Sequence, residues 1–355
     1  MKGVLTSTFL VLSIIAGIII YINLKNNKDK NIPKKKVYMD MDGSNDDFVA
    51  FLLLLGFPNV ELVGLAITPA DCLPDPAKEF VSKILYKRGL KVPVVVSDVK
   101  PINDFPEEYK QNAVKSNYLP ALINIEYSKD NELSTDAAEH MYSTAKKIFD
   151  DSQGKEKLIF LITGPPSTFV KALKAHSDFK NYIEEIFWMG GAIEVPGNVP
   201  ESPHSEYNAY WDPPSTKVFI ESGIPIKIAS LDGTNSVPVD EELLSGLAAN
   251  SKKYDAANLA NELFAIAFYF DENGGLDTYY AWDCLASMAL GKDGIITFKE
   301  AEVDVVTTKN TNNNQQGRIM LKPGSGHFVN YTQPLNASAL EKFYETFTNT
   351  FKYNL

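Results

Sequence analysis

"VYMDMDGSNDDFVAFLLLL", from Val37 to Leu55, sets the terms on which the rest of the chain is read. Asp40, Asp42, Asp46 and Asp47 fall within eight residues, with apolar chain on both sides. Carboxylates this close repel one another, and beside a core they also lose hydration. Either effect costs several kcal/mol unless a cation sits among them. "KVYMD" (36–40) reads as a strand and Asp47–Leu55 as a helix, so the acids mark a strand-to-helix turn.

Outward from this turn, short apolar runs rich in Val and Ile alternate with helical stretches. The runs are "VELVGLAIT" (60–68), "VPVVVSD" (92–98), "KLIFLIT" (157–163), "EEIFWMGG" (184–191) and "IPIKIASLD" (224–232). They lack polar alternation, as parallel strands buried on both faces do. Between them lie helical candidates at Pro76–Arg88, Ser134–Asp150, Ser167–Ala175 and Pro214–Ser222. Residues 239–291 read as helical throughout, "ITFKEAEVDVVT" and "GRIMLKP" as a hairpin around 310–316, and 337–350 as a last helix. The order predicts an α/β fold: an open, mostly parallel sheet with helices on both faces. Ligands bind at the carboxyl ends of such strands. Asp40 and Asp42, Asp71, Thr163-Gly164 and Met189-Gly190-Gly191 all fall at strand ends and would meet in one cleft.

The 355 residues carry a net charge of −11, against the basic face that a nucleic-acid partner needs. Two cysteines, Cys72 and Cys284, are too few for a disulfide framework and read as small buried thiols. Residues 1–24 carry no charge from Gly3 onward, are nearly continuous hydrocarbon over 9–24 and have no clean cleavage site, which favours a transmembrane anchor over a signal segment cleaved to release a secreted protein. Residues 25–36 form a polar linker with six lysines against one aspartate, which would keep the following domain cytoplasmic. The sequons at Asn330 and Asn336 point outward, so the side of the membrane stays open. Residues 37–355 read as one catalytic domain, and self-association into a homo-oligomer is left open.

The residues allow two readings of the four aspartates. In the first, Asp42 and Asp47 turn toward one point and hold a hard cation, Ca²⁺ for preference, with carbonyls and water completing its shell. In the second, "DMDGS" resembles the opening of haloacid-dehalogenase-type phosphatases, with Asp40 as nucleophile and Asp42 as acid and base. The tandem Asp46-Asp47 and the missing lysine and late acidic pair count against that. A third, bland account has Asp46 merely favouring a helix amino end.

D-x-D-x-x-x-D-D at the end of a first strand resembles the inosine-uridine-type nucleoside hydrolases. "ITGPPST" (162–168), "WMGGAIEVPGNV" (188–199), "SEYNAYWDP" (205–213) and "YYAWDCLA" (279–286) are similar to further segments of that family, in order, over roughly 36–350. The resemblance implies that Asp42, Asp47, Asp283 and the Thr163 carbonyl hold Ca²⁺, with Asp42 also the catalytic base. It implies that Asp46, Met189, Asn198, Glu206 and Asn208 grip the ribose of a ribonucleoside substrate. Trp282-Asp283 and "TPADC" (68–72) resemble the purine-specific members, so Trp282 and Tyr109 would stack on the base and Asp71 would contact it. Ser44 stands where an asparagine is usual, and Tyr109 where a tryptophan is. The expected reaction is hydrolysis of the N-glycosidic bond to free base and ribose, as in purine salvage and nucleoside catabolism. A nucleoside-binding protein without turnover is the remaining alternative. His204 reads as a solvated loop residue.

Overall fold

A computed structural model describes residues 32–269, 278–310 and 314–355. Nine strands form one sheet: β1 (Lys35–Met41), β2 (Val60–Ile67), β3 (Val94–Val96), β4 (Leu158–Ile162), β5 (Ile183–Met189), β6 (Ile226–Ala229), β7 (Phe298–Val305), β8 (Ile319–Leu321) and β9 (His327–Thr332). Their order is β3-β2-β1-β4-β5-β6-β9-β7-β8. Pairing is parallel from β3 through to β9, and antiparallel between β7 and each of its neighbours. The open, mostly parallel sheet is therefore as expected.

Strand order reverses between β1 and β4, and such a switch opens a crevice beyond the carboxyl ends of the two strands. Asp40 pairs with Ile162 across it, and the Thr163 N–H donates to the Asp40 carbonyl at 2.8 Å. The first aspartates and the Thr163 segment are thus locked side by side by backbone register. Side chains alternate along β1. Val37, Met39 and Met41 enter the core beneath the helices Asn45–Gly56, Asp255–Tyr269 and Trp282–Gly291; Tyr38 enters the opposite core, beneath Ala137–Asp151 and Ser167–Ala175.

The structure departs from the sequence reading in three places. The stretch 239–291 holds three helices, Glu241–Ser251, Asp255–Tyr269 and Trp282–Gly291, and part of it lies outside the described residues. The β7–β8 hairpin exists, but β9 is inserted between β6 and β7 and joins the hairpin to the sheet. The membrane anchor needs correction. Among the described residues no helix is long and apolar enough to cross a membrane. The segment 1–24 on which the anchor rested lies outside them, so membrane attachment is withdrawn.

Candidate active site

The aspartate turn is built by two local devices. Gly43 adopts φ +84°, a backbone conformation that side chains disfavour, and a Cβ there would lie 2.7 Å from Cys72 Cβ. Ser44 then caps the helix Asn45–Gly56 in a capping box: its Oγ accepts from the Asp47 N–H, and its N–H donates to Asp47 Oδ2 at 2.9 Å. Asp46 and Asp47 thereby sit in the first helical turn, where the helix dipole favours negative charge.

Asp47 is fully buried beneath the cleft. Its Oδ1 accepts the Thr163 hydroxyl at 2.5 Å, which ties the helix to the end of β4. Asp46 Oδ1 accepts the Tyr279 hydroxyl at 2.7 Å and lies 2.6 Å from Ser44 Oγ. Its Oδ2 accepts the N–H of Asp283, so the last helix meets the first through this carboxylate. Gly164 leaves space for Asp42, since a Cβ at Gly164 would fall 2.8 Å from Asp42 Cβ.

Opposite the acids, Glu206 caps the short helix Tyr207–Trp211 and accepts three backbone N–H groups, from Asn208, Ala209 and Gly191. Asn208 donates its Nδ2 to the carbonyls of Thr163, at 3.1 Å, and Met189, at 3.2 Å. Asn198 Oδ1 accepts the Tyr207 N–H. One cleft is lined by eleven of the twelve anticipated residues. These are Asp42, Asp46, Asp71, Tyr109, Thr163, Met189, Asn198, Glu206, Asn208, Trp282 and Asp283. Asp47 is the exception, standing behind Thr163.

Ser44, Phe105, Asn112, Tyr207 and Tyr279 also line the cleft. Phe105 and Tyr207 stack at 5.1 Å and 20°, Tyr109 meets Tyr207 edge-on, and Trp282 meets Tyr279 edge-on at 4.9 Å. The aromatic wall is thus wider than the Trp282–Tyr109 pair. Tyr207 was within reach of the sequence, because it lies between Glu206 and Asn208. Nothing local marks Phe105 or Asn112. No histidine lines the cleft among the described residues.

The electrostatics demand a cation or protons. Burial, then the charge and hydrogen bonding of Asp47, then Asp71 and Asp283, push the Asp42 carboxyl well above the usual range. Burial and the charges of Asp46 and Asp47 do the same to Asp283, and burial with Asp47 and Asp46 to Asp71. Burial raises Glu206 to about 7 against the pull of its backbone donors. Buried atoms without a hydrogen-bond partner among the described residues include Asp71 Oδ1, Asn208 Oδ1 and Trp282 Nε1, all on residues that line the cleft. Among the described residues no three Asp, Glu, His or Cys side chains are arranged to hold an ion as they stand. Both Asp47 oxygens are turned to Ser44 and Thr163. The anticipated donor set, the buried carboxylates of Asp42, Asp47 and Asp283 with the Thr163 carbonyl, is all hard oxygen, which suits an oxygen-seeking divalent cation.

The sequence matches the family described as inosine-uridine preferring nucleoside hydrolase over residues 37–343. The chain belongs to that family. It is 25% identical over 288 residues to a protein named probable uridine nucleosidase 1 from Oryza sativa subsp. japonica, covering 79% of this chain and 83% of that one. It is 27% identical over 283 residues to a pyrimidine-specific ribonucleoside hydrolase of Escherichia coli (strain SE11), covering 77% and 84%. Among solved structures, an inosine-uridine preferring nucleoside hydrolase from Bacillus anthracis superposes with a TM-score of 0.77 at 29% identity, covering 90% of this chain and 99% of that one. The protein is thus a nucleoside N-ribohydrolase: an enzyme that takes a small-molecule nucleoside and hydrolyses its N-glycosidic bond. The phosphatase reading falls with this membership, and the geometry supplies a reason. Asp40 does not line the cleft; its Oδ1 accepts the Thr68 hydroxyl at 2.9 Å.

Proposed function

We propose that this nucleoside hydrolase is calcium-dependent and prefers purine ribonucleosides. The observation that carries the metal is the group of buried carboxylates, Asp42, Asp47, Asp71 and Asp283, packed at one place; burial and the neighbouring acids raise the proton affinity of Asp42, Asp71 and Asp283. Asp42, Asp47, Asp283 and the Thr163 carbonyl would hold the ion. When bound there, Ca²⁺ supplies a Lewis acid for water and a hard partner for neutral ribose hydroxyls. Asp42 takes the proton of the attacking water. Asp46, Asn198, Glu206 and Asn208 bind the ribose oxygens, with Met189 packed against the sugar. Their carboxylates also favour the positive charge that develops on the ring in an oxocarbenium-like transition state.

The base lies among Trp282, Tyr109, Phe105 and Tyr207, with Asp71 at its edge. Extended aromatic walls and the absence of a cleft histidine among the described residues favour a two-ring base that leaves from a stacked slot. The relatives favour a second reading: both curated proteins described above carry names for uridine or pyrimidine nucleosides. Release of reducing sugar from inosine, guanosine, uridine and cytidine, with and without EGTA, tests the proposal. A purine kcat/KM at least about tenfold above the pyrimidine values supports it. The reverse order overturns the base preference, and full activity in EGTA overturns the metal.

A further inference from the structure

The base half of the cleft and its ribose half come from different segments of the chain, so their spacing has to be held by something outside both. Phe105 and Tyr207 meet across that seam, stacked at 5.1 Å. Tyr207 opens the helix Tyr207–Trp211, between Glu206 and Asn208, whereas Phe105 stands far earlier, at the end of the segment 102–105.

That segment is fastened to the carboxyl end of the helix, where the last carbonyls lack partners within the helix itself. The N–H groups of Ile102 and Asn103 donate to the Trp211 carbonyl at 2.9 and 3.1 Å, and Asn103 Nδ2 donates to the Tyr210 carbonyl at 2.8 Å. Asn103 Nδ2 also donates to Gln316 Oε1 at 3.2 Å. Gln316 is buried, and its Nε2 donates to the Thr307 carbonyl at 3.0 Å. Backbone carbonyls only accept, so Tyr210 and Thr307 fix which end of each amide carries the nitrogen, and the two amides interlock in one orientation.

On its other side Gln316 reaches the proposed ribose grip. Its carbonyl accepts the hydroxyls of Ser205, at 2.7 Å, and Ser202, at 3.1 Å, both fully buried. Ser205 directly precedes Glu206, and its carbonyl accepts the N–H of Asn198 at 3.0 Å. Gly317 lets the loop come this close: its φ is +85°, and a Cβ there would fall 2.6 Å from Tyr210 Cα. Neither Asn103 nor Gln316 lines the cleft.

We propose that Asn103 and Gln316 are positioning residues, an amide brace that keeps the stack of Phe105 and Tyr207 in register with the ribose grip. The inference rests on the proposed division of the cleft into a base half and a ribose half, and goes beyond it by assigning two residues that touch no substrate. Stacking helps a base to leave only while its plane stays aligned with the sugar, and a misplacement of about 1 Å can cost about 10²-fold in rate.

The test compares Asn103→Ala, Gln316→Met and Phe105→Ala with wild type, in the full chain with Ca²⁺. The substrates are p-nitrophenyl riboside and whichever of inosine and uridine the wild type cleaves faster, with free ribose as competitive inhibitor. Nitrophenolate is a stable leaving group, so its riboside reports on the ribose half alone. Asn103→Ala is expected to lower kcat on the nucleoside about tenfold, with the nitrophenyl riboside changed less than about threefold and the ribose Ki less than about twofold. Gln316→Met keeps the length of the side chain but releases both Asn103 and Thr307. It should show the same nucleoside loss and, through Ser202 and Ser205, raise the ribose Ki about threefold or more. Phe105→Ala should reproduce the substrate contrast of Asn103→Ala. Equal losses on both substrates in Asn103→Ala, an unchanged nucleoside kcat there, or wild-type nucleoside turnover in Gln316→Met each overturn the brace alone, provided that Phe105→Ala shows the contrast. A Phe105→Ala enzyme without that contrast overturns the base-half reading, and the brace with it. Thermal midpoints check folding, and either brace variant that folds decides by its kinetics. Failure of both to fold would make these bonds a support of the fold rather than of the slot, and the positioning role would be lost.

Discussion

At the scale of single residues, Asp40 and Asp42 are two positions apart and have opposite fates. Asp42 lines the cleft among Asp71, Asp283 and Thr163, whereas Asp40 is turned to Thr68 and its Oδ2 has no partner among the described residues. In the proposed mechanism Asp42→Ala removes a base and a metal donor together, and it should lower kcat by at least about 10³-fold. Asp40→Asn keeps the shape and the Thr68 contact and should cost less than about tenfold. Steady-state kinetics on inosine compare them; a dead Asp40→Asn beside an active Asp42→Ala would reverse the assignment. Trp282 gives the second contrast. Its ring abuts Tyr279 and Tyr280 and is anchored at the start of the helix that carries Asp283. Trp282→Ala should slow inosine cleavage about tenfold or more through lost stacking, with p-nitrophenyl riboside much less affected. Matching losses would mean that Trp282 positions the sugar or the fold.

At the scale of elements, the turn between β1 and its helix depends more on backbone conformation than on its cap. Ser44→Ala should cost about 1 kcal/mol of stability as the capping box is lost. Gly43→Ala should cost roughly 2–5 kcal/mol, because a positive φ and a Cβ pressed on Cys72 add together. Urea unfolding of the two variants ranks them, and a smaller loss for Gly43→Ala would show that the turn can relax. This turn was legible in the sequence because aspartates break an apolar run at one point. The cleft residues at the carboxyl ends of β1, β4 and β5 were legible for the same reason: continuous apolar strands end abruptly at Thr, Gly or Asp. β9 was not, since "HFVNYT" is short and mixes polar with apolar residues, and only its place between β6 and β7 buries Val329 and Tyr331. The helix Tyr207–Trp211 was hidden because its cap is Glu206, outside the usual Ser, Thr, Asp and Asn. Phe105 and Asn112 reach the cleft through tertiary packing of the 97–117 region, and no local pattern separates an aromatic that lines a cleft from one that fills a core.

At the scale of the whole molecule, one sheet brings acids from distant segments into one buried place, so folding and protons are linked, and the proposed cation with them. Burial raises the carboxyls of Asp40 to about 8 and Glu206 to about 7, and burial with mutual repulsion raises Asp42, Asp71 and Asp283. An acid whose folded pKa is raised binds more protons folded than unfolded between its ordinary value near 4 and the raised one. Stability of the metal-free protein must therefore fall as pH rises through that window. A divalent cation held by these oxygens, as proposed, would compete with those protons in the native state, so it should restore stability most where the acids are ionised. Thermal unfolding with EGTA should give a higher midpoint at pH 5 than at pH 8. Adding Ca²⁺ should raise the midpoint by several degrees at pH 8 and by much less at pH 5. A metal-free midpoint that climbs with pH, or a calcium shift of equal size at both pH values, would mean that these carboxylates are not the linked groups. The cation would then have to act elsewhere on the molecule.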